Sequence, residues 1–292
     1  MSDIGKRIRL SRLLKGWNHK ALIVAFDHAQ YVGPIPGTED PAGQVRRFAE
    51  AQVDGVLMTI GGLKHCAESF HSENAPSLIL RLDWCNIWRL GPERPETCQL
   101  ASVENSLALG ADAVMTYMFM GTGDTDFERA EIARNAAVAR ECERLGMPHI
   151  IEPLARGKDV KDPNDPQWVR LHTRIASELG ADLIKTDYTG DPDTMRPVIE
   201  ACPTPILALG GAKTASGEAT LEVIRGIVRS GAKGLVFGRN IFQAENVVEF
   251  IRRAQAVLAE ASDSLAACVP VCVPTSGMGP ETNFACGSKK RA

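Results

Sequence analysis

No apolar run in this chain of 292 residues approaches the ~18–20 that span a bilayer, so no transmembrane helix is expected. The N-terminal stretch MSDIGKRIRLSRLLKG has no apolar core followed by a small-residue cleavage site, so no signal peptide is expected either. Neither sign of charge dominates: 33 Lys+Arg stand against 36 Asp+Glu, a formal charge of −3. A nucleic-acid partner would call for a basic excess, so none is expected. The eight cysteines, Cys66, Cys85, Cys98, Cys142, Cys202, Cys268, Cys272 and Cys286, show no framework spacing. In a chain this long they read as reduced thiols of a cytoplasmic protein. Metal-ligand spacing is missing too. None of His19, His28, His65, His71, His149 and His172 forms an H-x-x-x-H or H-E-x-x-H pair, and Cys268 and Cys272 lack a second pair or a nearby histidine.

What is present is an ordinary globular balance, 44% hydrophobic and 24% charged, which excludes disorder as the main state. Length alone allows one domain or two. A repeating rhythm decides between them. Eight short apolar runs occur, at Ala21–Asp27, Gly55–Ile60, Ser77–Asp83, Ala113–Tyr117, His149–Glu152, Leu183–Asp187, Pro205–Leu209 and Gly234–Phe237. They are continuous rather than alternating, as strands covered on both faces are. Amphipathic stretches such as Glu128–Leu145, Gln167–Leu179 and Ala219–Ser230 separate them. Gly110-Ala111-Asp112, Gly180-Ala181-Asp182 and Gly231-Ala232-Lys233 each end a helix on a glycine suited to the left-handed C′ position. Repeated β-then-α units over ~240 residues predict an α/β fold, the parallel eight-stranded TIM (β/α)8 barrel. The expected division is an N-terminal helical segment (1–20), the barrel (21–261) and an irregular, flexible C-terminal tail (262–292). The first segment is basic and could cover the barrel floor or touch a neighbouring subunit.

Chemistry in such barrels sits at the C-terminal ends of the strands. The candidates there are Asp27-His28, Asp83, Tyr117, Glu152, Lys185 with Asp187, Gly210-Gly211 and Gly238-Arg239. Lys185 is the most informative. Desolvation in a barrel interior disfavours a charged lysine and leaves a nucleophilic amine, able to condense with a ketone; pairing with Asp187 is the alternative. Leu209-Gly210-Gly211-Ala212-Lys213 and Phe237-Gly238-Arg239-Asn240 follow strands seven and eight, where these barrels cradle phosphate. Asp27, ending strand one, and Glu152, ending strand five, could move protons; a cap and a salt bridge to Arg156 or Lys185 are their structural alternatives. Asp83 and Asp187 suit pairing with Arg81, Arg156 or Lys185. Tyr31, Trp84, Trp88, Tyr117 and Phe119 could line a pocket or simply pack.

These residues carry a resemblance. From about Ala21 to Ala261 the chain resembles the DhnA-type class I aldolases, which include archaeal-type fructose-bisphosphate aldolase, aminodideoxyheptulosonate synthase and the autoinducer-2 Lsr thiolase relatives. The matching stretches are Ala25-Phe26-Asp27-His28, Arg156-Gly157, Arg174-Ile175-Ala176 with Glu178 to Asp182, Lys185 with Tyr188-Thr189-Gly190-Asp191, Gly210 to Lys213, and Gly238 to Gln243. The resemblance implies that Lys185 is the Schiff-base lysine and Asp27 an active-site carboxylate. It also implies that Gly210, Gly211, Lys213, Gly238, Arg239, His28 and Arg156 bind a phosphorylated sugar, with no metal and no cofactor. Homo-oligomers, possibly a decameric ring, are expected with it. One departure is visible. Archaeal-type aldolases carry a tyrosine before the proline-arginine-glycine of strand five, and that position here holds Leu154. Ile151-Glu152-Pro153 looks instead like the tagatose-bisphosphate and sulfofructose-phosphate aldolases, whose strand-five glutamate transfers the proton. Glu152 is therefore expected to replace the tyrosine.

The expected function is a metal-independent class I aldolase, a lyase of carbohydrate metabolism acting on a phosphorylated ketose such as fructose bisphosphate. The alternatives are a transferase, thiolase-type or heptulosonate-synthase-type member of the family, and a non-catalytic phosphosugar-binding barrel.

Overall fold

The computed structural model describes residues 2–15, 19–72 and 74–266. Eight parallel strands close into a barrel: β1 (Ala21–Ala25), β2 (Gly55–Met58), β3 (Ser77–Arg81), β4 (Ala113–Met120), β5 (His149–Ala155), β6 (Leu183–Thr186), β7 (Ile206–Leu209) and β8 (Gly234–Phe237), with β8 pairing back onto β1. Every expected run is a strand. Between β3 and β4 a short antiparallel ribbon, Asp83–Cys85 with Thr97–Gln99, stands on the barrel rim.

Two strands are longer than their apolar patterns indicate. β4 and β5 pair from Val114↔His149 to Met120↔Ala155, so Tyr117 and Glu152 lie within strands rather than at their ends. Pro153 is tolerated there because the β5–β6 ladder stops at Ile151↔Ile184 and no N–H is required beyond it.

The helices begin and end as their local chemistry dictates. Asp40-Pro41, Asp165-Pro166 and Asp191-Pro192 each put a capping carboxylate before a proline at the first helical position, and each aspartate accepts a bond from a backbone N–H of the first turn. Gly110, Gly180 and Gly231 take φ of +80°, +96° and +94°, which turns the chain directly into β4, β6 and β8.

Period-two alternation sorts each strand. Leu22, Val24, Val56, Leu78, Leu80, Val114 and Leu235 face outward under the helices. Ile23, Leu57, Ile79, Met115, Ile150, Leu183, Leu207 and Val236 face inward and fill the lower barrel. One inward step higher, Ile79 gives way to Arg81, Met115 to Tyr117, Ile150 to Glu152 and Leu183 to Lys185. A charged layer thus rests on an apolar plug.

The N-terminal helix Ser2–Leu14 closes the floor. Leu13 is 1% exposed and joins the inward cluster, a burial that contributes roughly 1.5–3 kcal/mol. Lys6 pairs with Glu143 and Asp182, and Arg12 with Asp112. At the other end, the final helix Val247–Ala266 continues past the expected boundary at 261, because no proline interrupts the chain before Pro270. The remainder of the expected tail, 267–292, lies outside the described residues. Among the described residues no helix is long and apolar enough to cross a membrane.

Candidate active site

Lys185 sits on β6, 6% exposed, its Nζ 2.7 Å from Glu152 Oε1 on β5. The second oxygen of Glu152 is held by Arg81 Nη2. Arg81 comes from β3, on the far side of β4, and its Nε reaches Asp27 Oδ2 at 3.0 Å. The Tyr31 hydroxyl donates to the same Asp27 oxygen at 3.2 Å. Four strands therefore bring the amine and both candidate carboxylates into one layer, joined by a guanidinium. The Arg81 Cζ stands over the Tyr117 ring, 3.9 Å from its centre.

Burial sets the electrostatics. It pushes the Asp27 carboxyl up, but Arg81, Lys185 and His28 outweigh it and hold the group below its ordinary value. Asp83 behaves oppositely: burial wins over Arg134 and Arg81, and its carboxyl is raised. The Tyr31 and Tyr117 phenols are raised well above the usual range, mainly by burial, so both remain donors at neutral pH. His28 is lowered by burial, against the pull of Asp27 and with the help of Lys185 and Arg239, so it stands as a neutral imidazole beside Asp27.

The glycine loops meet beside it. Asn240 Nδ2 donates to Gly210 O at 3.0 Å and to Ala212 O at 3.1 Å, tying the loop after β7 to that after β8. Arg239 Nη2 donates to Gly211 O at 3.2 Å, while its Nε is buried with no hydrogen-bond partner among the described residues. A Cβ on Gly238 would stand 2.3 Å from His28 Cε1, and one on Gly210 would stand 2.7 Å from the Phe237 ring. These two glycines are required by close approach, not only by the turn.

Residues 21–244 match the model of the DeoC/LacD family aldolases. The chain belongs to that family. An uncharacterised aldolase of Saccharolobus solfataricus is 37% identical over 265 residues, 89% of this chain and 96% of that protein. The 2-amino-4,5-dihydroxy-6-oxo-7-(phosphonooxy)heptanoate synthase of Streptomyces griseus is 33% identical over 83% of this chain and 86% of its own length. Among solved structures, an archaeal fructose-1,6-bisphosphate aldolase with its catalytic lysine covalently bound to the carbinolamine intermediate superposes with a TM-score of 0.77 at 29% identity, covering 87% of this chain and 99% of that one. The protein is accordingly a class I aldolase, an enzyme of the lyase type.

In this aldolase Lys185, Glu152, Asp27 and His28 converge, and Gly210, Gly211, Gly238 and Arg239 form one adjoining edge. Two residues expected to bind substrate are already engaged. Arg156 grips Asp187 with both terminal nitrogens, at 2.9 and 3.0 Å, and Lys213 Nζ donates to Gln243 O at 3.1 Å. Asp83 and Asp187 are arginine partners, as the sequence suggests. The aromatic candidates divide. Tyr31, Tyr117 and Phe119 pack with Leu154 in a buried cluster above Glu152, whereas Trp88 is 39% exposed and donates to the Tyr117 hydroxyl at 3.1 Å. A groove of about 1560 Å³ at the opposite end of the barrel, lined by Lys15, His19, Asp54 and Leu78, contains none of these residues.

Sequence reading underrates Arg81, treating it only as a partner for Asp83 or Asp187. The signal was present: an arginine two positions after Ile79 in an apolar strand must face the same interior. Tyr31 and Asn240 carry no comparable signal, since each acts from a short helix whose placement depends on the closed barrel.

Proposed function

We propose that the aldolase cleaves or forms a carbon–carbon bond in a phosphorylated ketose, with Lys185 as the Schiff-base lysine. The observation that carries this reading is the 2.7 Å contact between Lys185 Nζ and Glu152 Oε1 in a buried layer beside the Arg239 edge. Glu152 takes a proton from the Lys185 ammonium, and the free amine adds to the ketone carbon while its own proton passes to the carbonyl oxygen, giving a carbinolamine. Glu152 returns its proton to the departing hydroxyl, and water leaves as the iminium forms. A carboxylate, Glu152 or Asp27, then takes the proton of the hydroxyl beyond the breaking bond. The bonding pair flows into the iminium, releasing an aldehyde and leaving an enamine. Protonation at carbon and hydrolysis return the free lysine. Leu154 takes no part in these transfers, since an aliphatic side chain has no proton to move; the carboxylates do.

Arg239 Nε, without a hydrogen-bond partner among the described residues, the backbone of Gly210, Gly211 and Gly238, and neutral His28 support a phosphate on this edge. The enzyme is proposed to be a cytoplasmic homo-oligomer of carbohydrate metabolism. Free thiols at Cys66, Cys85, Cys98, Cys142 and Cys202 support a reducing compartment, and the exposed pair Ile4 and Ile8 on the N-terminal helix supports contact between copies.

Borohydride reduction in the presence of fructose 1,6-bisphosphate, tagatose 1,6-bisphosphate, sulfofructose phosphate or a deoxyketose phosphate tests the reading. A substrate is expected to leave a reduced adduct on the peptide holding Lys185. Turnover by Lys185→Ala, or turnover with no adduct, sinks it. Stabilisation by these ligands without adduct or turnover would mark a binding barrel instead. The synthase relative favours a second reading, transfer of the fragment to a second acceptor. Products formed with and without an added acceptor aldehyde separate the two.

A further inference from the structure

We propose that Arg81 is a positioning residue for bond cleavage: one edge of its guanidinium is shared between Glu152 and Asp27, fixing the two acids at separate places around the Lys185 amine. The inference rests on the Schiff-base reading of Lys185.

The Nε and Nη2 edge of an arginine ordinarily grips a single carboxylate with two parallel bonds. Here Nε holds Asp27 Oδ2 at 3.0 Å and Nη2 holds Glu152 Oε2. Each acid keeps one oxygen for other work. For Glu152 that oxygen is on Lys185 Nζ; for Asp27 it lies 3.7 Å from His28 Nδ1.

The clamp has neighbours of its own. Tyr117 covers one face of the guanidinium, and Nη1 stands 3.7 Å from Asp83 Oδ1. Asp83 is in turn held by Arg134 and by the Tyr117 backbone N–H at 2.8 Å. Arg134 belongs to the outer helix Thr125–Leu145 and also binds Glu131. An alternating chain of charges thus runs from the helix layer through the barrel wall to the amine. A structural ion pair needs only one acid per arginine. Splitting one edge between the acid that touches the amine and the acid that does not is what suits a reaction with two proton transfers at different atoms.

The ionisable groups facing Arg81 are Asp27 and Tyr31 after β1, Asp83 and Cys85 after β3, Tyr117 on β4 and Glu152 on β5; His28, Arg134 and Lys185 face its carboxylate partners Asp27, Asp83 and Glu152. Without the guanidinium, two neighbouring carboxylates lose their common counter-charge, and like charges so placed favour retention of one proton.

The test compares Arg81→Met and Arg81→Lys with the unsubstituted enzyme, using the sugar phosphate that turns over. For Arg81→Met we expect kcat to fall roughly a hundredfold or more, and the low-pH limb of kcat/KM to move up by about one pH unit or more. The borohydride adduct on Lys185 should still form. Arg81→Lys should recover about tenfold in kcat, because one ammonium restores charge without bridging both acids. A pH limb superimposable on that of the unsubstituted enzyme, whatever the loss in melting temperature, overturns the proposal. If Arg81→Met does not fold, Arg81→Lys decides by kcat: a kcat equal to that of the unsubstituted enzyme overturns the proposal, since an ammonium cannot bridge both acids. No adduct in the unsubstituted enzyme overturns the Schiff-base reading itself, whereas an adduct there with an unmoved limb in Arg81→Met overturns only the role of Arg81.

Discussion

Lys185 and Glu152 face one another at 2.7 Å from strands whose pairing stops one position below them, at Ile151↔Ile184. The backbone ladder between β5 and β6 ends there: Pro153 offers no N–H to continue it, and Thr186 Oγ1 donates to Pro153 O at 3.3 Å instead.

That contact makes Glu152→Gln informative, since the amide keeps the shape and removes the charge. We expect kcat to fall by roughly 10²–10⁴-fold, the usual contribution of a positioned acid–base group. Single-turnover cleavage should slow to the same degree. Retention of more than a tenth of the kcat would remove Glu152 from the proton transfers.

The Arg156–Asp187 pair bears on stability. Burial raises the Asp187 carboxyl, and Arg156 offsets part of that effect. Both side chains are largely buried, at 17% and 5% exposure. Arg156→Met should cost about 3–5 kcal/mol in denaturant unfolding, because it strands a buried carboxylate. Adding Asp187→Leu should recover most of that loss. An Arg156→Met protein as stable as the parent would show that water reaches Asp187.

Acid should destabilise the fold through two histidines. His149 and His172 are fully buried and lowered to about 3, His149 by burial with Arg134 and Lys6, and His172 by burial with Arg156. In the unfolded chain both titrate near the ordinary histidine value, so between roughly pH 6.5 and 3 the unfolded state binds the extra protons. Their contribution is fully present above that window and is lost as pH falls through it, by about 2 kcal/mol per histidine at pH 5. Neither ring nitrogen of His172 has a hydrogen-bond partner among the described residues. His172→Leu should therefore flatten the fall in unfolding free energy between pH 7 and 5. An unchanged slope counts against it.

Gly238→Ala tests the phosphate edge. The added methyl would lie 2.9 Å from Ala25 O and 2.3 Å from His28 Cε1, so the imidazole must move. We expect KM for the sugar phosphate to rise at least tenfold, by roughly 1.4 kcal/mol of lost binding, with a smaller change in kcat. Inhibition by inorganic phosphate should weaken in parallel. A KM equal to that of the parent would detach this edge from the substrate.

Much of this site was legible one strand at a time. Lys185 and Glu152 were readable because strand alternation puts them one step above Leu183 and Ile150. Asp27 was readable because it follows β1 by two residues. The glycines were readable from their place after β7 and β8. Arg156 and Lys213 were harder, since an arginine in a rim motif looks the same whether it meets a phosphate or Asp187. Leu154 shows the reverse case: the absence of a tyrosine there is visible in the chain, whereas the partners of Glu152, Lys185 and Arg81, come from other strands and meet it only in the closed barrel.

By itself the sequence determined the eight strands, the glycine and Asp-Pro punctuation between them, and the polarity of each inward step. Those features come from dihedral limits, capping and alternation, which act over a few residues. Only the tertiary structure decided that Arg81 joins Asp27 to Glu152, that β4 and β5 extend to Met120 and Ala155, and that Arg156 is spoken for by Asp187. Ion pairing across a barrel depends on which strands lie opposite after closure, and a guanidinium in a dry interior binds whichever carboxylates that closure presents.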